Sequence, residues 1–416
     1  MKLGSVYHID SMKIHSLNYS PQTFCSLHWE DIELYFHRRE IKYCCRTTAT
    51  HKFPEPLTKE WIRSNDIIND RRNYALNNWR HPACNQCWQQ ENETNTSFRT
   101  RKSYADLERK VKNPENKKQY ARYIKLYFEN TCNHSCLYCN EKFSSLHAQE
   151  RGIDPYDKYR EEDMDVIIDW IRDLCQQEPE VLKHICVLGG EPTISKGWEV
   201  FKSKLMEDDV IRNTELIIDI TSNGSFTDKV WYNIQEEVKK TTRWRWLYCL
   251  SNESTGAVSE NVRYGSDWEV WKKNYERLLC LDEVAVIRIS MSPNVFTIKD
   301  TYNFIDYIIS AAEQLNPHKK IFFNSWNWVS QPSVLALNGL DIKHRSVLDD
   351  SIRRVEEAKC NITKKDVMDY LIVLRDMIGT KPIRRHEVIG WLQHQNNSYK
   401  KGKIDEDLLM DQFTAP

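Results

Sequence analysis

No run in this 416-residue chain is apolar for long enough to cross a membrane. The opening residues, Met1-Lys-Leu-Gly-Ser-Val-Tyr-His, contain no apolar h-region, so no signal peptide is expected. Net charge is missing as well: 59 Lys and Arg against 60 Asp and Glu leave no bulk positive field to draw in nucleic acid. No internal repeat or low-complexity tract is evident. The expected setting is therefore cytoplasmic, with neither a membrane nor a nucleic acid as partner. The 13 cysteines are an odd number and gather in short motifs. That usage fits a reducing compartment and metal binding better than a disulfide framework. Core material is plentiful, at 40% hydrophobic and 11% aromatic with 14 Trp, and the length suggests two or three domains.

The most informative stretch is Cys132-Asn-His-Ser-Cys136-Leu-Tyr-Cys139. It follows the apolar run Tyr123–Phe128 and precedes a loop and a helical pattern. Three cysteines on one loop converge on a metal centre with three protein ligands. A structural zinc would want a fourth thiolate or imidazole. An iron–sulfur cubane on three thiolates leaves one iron open for chemistry.

From residue 121 the chain alternates apolar runs with helical stretches. The runs are Tyr123–Phe128, Ile185–Leu188, Leu216–Thr221, Trp246–Leu250, Val284–Met291 and Ile321–Phe323. Between them, Met164, Ile167, Ile168, Ile171, Leu174 and Cys175 share one helical face. Trp268, Trp271, Tyr275, Leu278 and Leu279 share another, as do Phe304, Ile308, Ala311, Ala312 and Leu315. The expected fold class is α/β, a parallel sheet covered by helices. Sites in such sheets form at the carboxyl ends of strands. The cysteine loop follows the first run, and Val187-Leu-Gly189-Gly190-Glu191-Pro192 closes the second.

These two motifs together resemble the radical S-adenosylmethionine (SAM) superfamily. The resemblance implies a partial (β/α)6 TIM-like barrel over residues 121–332. It also implies a [4Fe-4S] cluster on Cys132, Cys136 and Cys139, with SAM on the open iron. Tyr138 matches the family's aromatic residue before the third cysteine, and Gly189, Gly190, Glu191 and Pro192 match its "GGEP" loop, which binds the SAM amino group. The bottom-up alternative for Glu191 is a charge at a helix N-terminus. Thr221-Ser-Asn223-Gly224 resembles the family's "TNG" turn. Ser251, at the end of the fourth strand, and Arg263 occupy positions that in relatives contact the SAM carboxylate and ribose; their alternatives are a turn residue and a surface charge. Arg288, Ser290 and Ser292 alternate with apolar residues, so one face of the fifth strand either lines the lumen or is a satisfied polar interior. His134 is expected not to be a ligand. Cys175, Cys186, Cys249, Cys280 and Cys360 read as small core residues.

Residues 1–98 carry a second cysteine set: Cys25, Cys44-Cys45-Arg46, and Cys84-Asn-Gln-Cys87-Trp88. Asp31–Phe36 alternates like a strand, and after a polar turn a second strand ends at Tyr43, a hairpin that presents thiolates at both ends. Cys25, Cys44, Cys84 and Cys87, with Cys45 as the alternative to Cys44, would complete a four-thiolate site. Trp61–Trp79 is expected to be one helix. The order of these cysteines resembles the SPASM and twitch auxiliary-cluster modules of radical SAM enzymes. Here the module precedes the barrel, and Arg39-Glu40 stands in the turn where the family has Gly. The implied cofactor is an auxiliary [4Fe-4S] cluster; the alternative is a structural zinc ribbon. Residues 99–120 are expected to be a solvated charged linker or helix, and 333–416 a helical C-terminal extension without a catalytic motif. The resemblance further implies a flavodoxin or ferredoxin as electron donor and a peptide or protein substrate. The rival readings are a small-molecule substrate such as a nucleotide or sugar, and a metal-bearing binding protein without chemistry.

Overall fold

A computed structural model of the chain describes residues 23–47, 49–94, 97, 99–100, 121–153, 159–177, 182–323, 328–381, 385–398 and 404–414. The chain divides into two compact units. The first comprises residues 1–127, 159–185 and 208–214, and the second 128–158, 186–207 and 215–416. The stretch expected as one domain over 121–332 is thus shared between them.

In the first unit the expected hairpin forms. Strands β1 (Asp31–Tyr35) and β2 (Glu40–Tyr43) are antiparallel, with Ile32 opposite Tyr43 and Tyr35 opposite Glu40. A short strand β3 (His51–Lys52) extends the sheet on β2, and β4 (Tyr123–Tyr127) runs parallel to β1. The two-residue period puts Ile32 and Leu34, both fully buried, on one face. Asp31 and Glu33 fall on the other, where Lys125 of β4 reaches them at 2.9 and 3.2 Å. Arg39 takes the left-handed backbone that glycine usually supplies, at φ 49°. That conformation costs a non-glycine residue roughly 1–2 kcal/mol. The Arg39 guanidinium offsets it by binding Asp163 at 2.7 Å and the Pro54 carbonyl at 3.2 Å, and by pairing with Glu55.

Two expectations for this unit are corrected. The stretch Trp61–Trp79 is two helices, Lys59–Arg63 and Asp66–Leu76. Asn65 breaks it: its side-chain oxygen caps the second helix at Ile68 N, and its amide binds the Tyr43 hydroxyl. That second helix carries two buried arginines. Arg71 Nη1 donates to the Tyr43 carbonyl at 2.8 Å, and Arg72 Nε to the His28 carbonyl at 3.2 Å. The helix thereby ties the hairpin to the segment after Cys25. Arg99, expected to be solvated, is buried. It pairs with Glu91 at 2.5 Å, donates to the Phe24 carbonyl at 2.6 Å and lies over the Trp88 ring. Residues 101–120 lie outside the described residues.

All six apolar runs are strands. Beyond β4 they are β6 (His184–Leu188), β7 (Leu216–Ser222), β8 (Trp244–Ser251), β10 (Val284–Ser290) and β11 (Lys320–Phe323). In the second unit the order is β7, β8, β10, β11, every pair parallel, with the carboxyl half of β6 beside β7. Helices Lys196–Glu207, Asp228–Lys240, Trp268–Cys280 and Thr301–Leu315 follow successive strands. The strand–helix alternation with parallel strands expected from the sequence is therefore present. The aromatic stripe of Trp268–Cys280 is buried, with Trp271 at 2% exposure and Tyr275 at 0%. Cys280 is the exception among the cysteines read as core: it ends that helix and is exposed, because one step past Leu279 leaves the apolar stripe. Cys175, Cys186, Cys249 and Cys360 are buried.

Helices Arg345–Glu357, Lys364–Met377, Arg385–Ser398 and Glu406–Thr414 follow. The turn before the second of these covers the edge of β11. Ile321 N donates to the Asn361 carbonyl at 3.0 Å, and Thr363 N to the Ile321 carbonyl at 3.2 Å. An open edge strand is thereby closed.

Candidate active site

The cysteine loop is held by the ends of the strands of the second unit, and each contact has a sequence cause. Gly190 is the tightest. It adopts φ +53°, and a Cβ there would stand 2.2 Å from the Thr131 carbonyl oxygen. Only glycine lets the two loops approach, and Glu191 N then donates to that same carbonyl at 2.7 Å. Gly189 is also left-handed, at φ +85°. Pro192, buried, opens a 3-10 turn over Pro192–Ile194.

Glu191 is at 1% exposure, and four groups donate to its carboxylate. They are Asn223 N (2.6 Å), Ser222 Oγ (2.8 Å), Thr193 Oγ1 (2.7 Å) and Thr193 N (3.1 Å). Burial pushes this carboxyl above its ordinary value, against the pull of the Asn223 and Thr193 hydrogen bonds. Glu191 therefore caps its own turn and ties it to the end of β7. Asn223 carries the tie on to the cysteine loop: its amide donates to Asn133 Oδ1 at 2.7 Å.

On the other side, a two-stranded antiparallel ladder joins β5 (Ser135–Cys136) to β9 (Arg263–Tyr264), with Cys136 opposite Arg263. Gly265, at φ +97°, lets the Asn133 carbonyl pass 2.6 Å from where a Cβ would be. Arg263 is therefore not a surface charge. It is buried and paired with Glu253 through Nη2 at 2.6 Å and Nε at 3.2 Å to both carboxylate oxygens. Burial opposes the guanidinium charge, and Glu253 more than offsets it, so Arg263 stays protonated. Tyr138 donates its hydroxyl to Glu253 at 2.8 Å, with Arg263 over its ring. Ser251 ends β8 opposite Ser290 of β10.

Sequence reasoning missed Glu253. Its only sequence sign is an acid two residues past the Ser that ends a strand.

The loop itself suits a cluster. Cys132, Cys136 and Cys139 are all partly exposed, and His134 N donates to Cys132 Sγ at 3.4 Å. Burial, and then Cys136, push the Cys132 thiol up, so it stays neutral until a metal displaces its proton. His134 is at 1% exposure. Its Nε2 meets Ser225 Oγ at 3.1 Å, while Nδ1 is buried without a hydrogen-bond partner among the described residues. Burial lowers its pKa to about 3. An unpartnered ring nitrogen inside a three-thiol loop suits a group with sulfur acceptors at that place.

The expected lumen face of β10 holds an ion pair. Arg288 Nη2 reaches both oxygens of Asp219 on β7, at 2.7 and 3.0 Å. Cys249 of β8 lies opposite Arg288 in register.

In the first unit Cys25 lies near Cys44 on one side and near Cys84 and Cys87 on the other. Cys25 packs with Cys44 and Leu27, and its ionisation is opposed by burial and then by Cys84 and Cys87. Burial pushes the Cys25 thiol up to about 12 and Cys84 to about 11. Cys44 sits at φ 83°, a backbone that non-glycine residues seldom adopt, and its Sγ accepts from Arg46 N at 3.5 Å. Cys45 keeps its side chain against that of Cys44, with Lys125, Asp31 and Glu33 also near it. His28, buried, places Nε2 3.8 Å from Cys84 Sγ and leaves Nδ1 unpartnered.

The model of the radical SAM superfamily matches residues 126–279. No curated protein matches the chain by sequence. Among solved structures, native anSMEcpe with bound AdoMet and Cp18Cys peptide is 14% identical with a TM-score of 0.39, covering 58% of this chain and 62% of that one. Streptococcus suis SuiB bound to precursor peptide SuiA is 16% identical with a TM-score of 0.38, covering 63% and 52%. SuiB bound to S-adenosylmethionine is 13% identical with a TM-score of 0.41, covering 82% and 72%. The chain thus spans less than two thirds of the length of the first two. The matched stretch, residues 126–279, holds the three-cysteine loop and the strand ends that brace it, and it is there that the chain is similar to the radical SAM superfamily.

Proposed function

We propose that the chain is a radical SAM enzyme acting on a peptide or protein. The observation that carries this reading is the braced loop of Cys132, Cys136 and Cys139, three thiols at the carboxyl ends of parallel strands with a buried unpartnered nitrogen among them. Cys132, Cys136 and Cys139 would hold a [4Fe-4S] cluster. Ser251, Arg263, Asn223 and the Gly189–Pro192 turn would frame SAM. Bound together there, these cofactors would supply a 5′-deoxyadenosyl radical that takes hydrogen from the substrate. The chain's own part is to hold the loop, offer a guanidinium suited to a carboxylate, and exclude water. The electron donor in this reading is a flavodoxin or ferredoxin.

The test is anaerobic. The full chain is reconstituted with iron and sulfide, given SAM and dithionite, and assayed for 5′-deoxyadenosine. Wild type is expected to form it and Cys136→Ala to fall to background. Equal formation by both proteins would refute the assignment of the loop.

Cys25, Cys44, Cys84 and Cys87 would hold an auxiliary [4Fe-4S] cluster. The peptide class rests on the resemblance of this module to those of peptide-modifying relatives. Cys84→Ser is expected to lower bound iron from about eight to about four atoms per chain, the difference of one cubane. Metal analysis of the purified protein checks it. One zinc per chain, lost in Cys84→Ser with iron unchanged, would instead identify the module as a zinc ribbon.

A further inference from the structure

Glu253 is fully buried, and its carboxylate is fully used. An ionised carboxylate offers about four lone-pair sites. Here it accepts from Arg263 Nη2 and Nε, from the Tyr138 hydroxyl at 2.8 Å and from Ser292 N at 3.3 Å. Nothing on it is left for a ligand, so it acts through the groups it holds. Those groups come from three places: the cysteine loop (Tyr138), the strand paired with that loop (Arg263) and the end of β10 (Ser292). The turn that carries Glu253 is itself rigid. Asn252 Oδ1 accepts from Glu253 N at 2.9 Å and from Ser259 Oγ at 3.0 Å. Tyr370, buried on the helix Lys364–Met377, has its ionisation opposed by burial and then by the Glu253 charge. The Arg263 guanidinium spends Nε and Nη2 on Glu253, and Nη1 makes no hydrogen bond to a described residue.

Resting on the reading of this site as one for SAM, we propose that Glu253 is its positioning residue. It fixes Arg263 so that the remaining edge of the guanidinium is free for the SAM carboxylate, and it holds Tyr138 through the same carboxylate. A mere counter-charge needs only to be negative and near. A positioning group needs its length as well.

Glu253→Asp separates the two, because it keeps the charge and withdraws the carboxylate by one methylene. Glu253→Gln would leave a buried guanidinium unpaired and risk misfolding. The measurement is anaerobic calorimetric titration of SAM into the reconstituted full chain, with iron content and thermal midpoint measured on the same samples. Glu253→Asp is expected to weaken SAM binding by about tenfold or more, the loss seen when the partner orienting a ligating group is removed. Its iron content and midpoint should stay close to wild type. Arg263→Met should weaken binding at least as much. Wild-type affinity in Glu253→Asp with weakened binding in Arg263→Met overturns the positioning role and leaves the SAM site standing. Wild-type affinity in Arg263→Met overturns the proposal through Arg263 itself. A wild-type protein that holds its cluster and binds no SAM refutes the functional reading, and this proposal with it.

Discussion

Gly190→Ala is expected to strip iron from the Cys132 loop and to lower the thermal midpoint well beyond the cost of an ordinary alanine substitution. Two penalties add. The left-handed backbone at φ +53° costs an L-residue about 1–2 kcal/mol. The new Cβ would also lie 2.2 Å from the Thr131 oxygen and 2.9 Å from both the Thr131 and Asn130 carbonyl carbons. All three contacts are backbone, so no side-chain rotation relieves them; one loop must move. Moving it breaks the hydrogen bond from Glu191 N to Thr131 and carries Cys132, the next residue, out of place. Gly152→Ala is the control. It has a similar φ of +64° with nothing within 4 Å of the added carbon, so it carries the backbone penalty alone. The comparison is made by thermal denaturation and by iron per chain after anaerobic reconstitution. If the two variants match in both, the close approach of the loops is not what holds the cysteine loop.

The same position shows where reading the chain succeeds and where it stops. The six strands were legible because each is a compact apolar run between helical periods, and such runs report burial on both faces of a parallel sheet. The cysteine loop was legible because its spacing is local. Gly190 was marked by its motif, and the resemblance assigned it to SAM. The fold adds a packing duty, because Thr131 stands against it from a loop about sixty residues earlier. Glu191 likewise caps its own turn while binding Ser222 and Asn223 from the next strand. Glu253 was not legible at all, since its meaning is the set of distant groups it gathers. The break at Asn65 was readable in principle, as Ser-Asn-Asp before an apolar pair is an N-cap pattern, but the tryptophans on either side suggested one longer period. Arg39 stood in the turn in place of the family's glycine, and only the fold shows Asp163 and Pro54 anchoring it.

Asp219 is the other residue the sequence hid, as a lone acid inside the apolar run Leu216–Thr221. It is at 0% exposure, and Arg288 meets it from two strands away, a separation of about 10 Å that a long guanidinium side chain can span. A pair of this kind, with the carboxylate buried and the guanidinium half-buried, adds little net stability, because the cost of desolvation offsets most of the attraction. Removing one partner is different. Arg288→Met takes the guanidinium away from the buried Asp219 carboxylate, and is expected to cost about 3–5 kcal/mol. Replacing both, as Asp219→Leu with Arg288→Met, removes the charge problem and should recover most of that loss; the coupling appears in a double-mutant cycle of thermal or urea unfolding. A single Arg288→Met within about 1 kcal/mol of wild type would mean that water or a neighbouring donor already satisfies Asp219. The double variant also separates stability from function. Apolar side chains fill a strand face well, yet this chain carries a charged pair, with Cys249 in register beside it, on the face of the sheet expected to line the lumen. If the double variant folds, loads its cluster and still forms 5′-deoxyadenosine from SAM, the pair is not needed to cleave SAM, and its polarity serves whatever occupies that lumen.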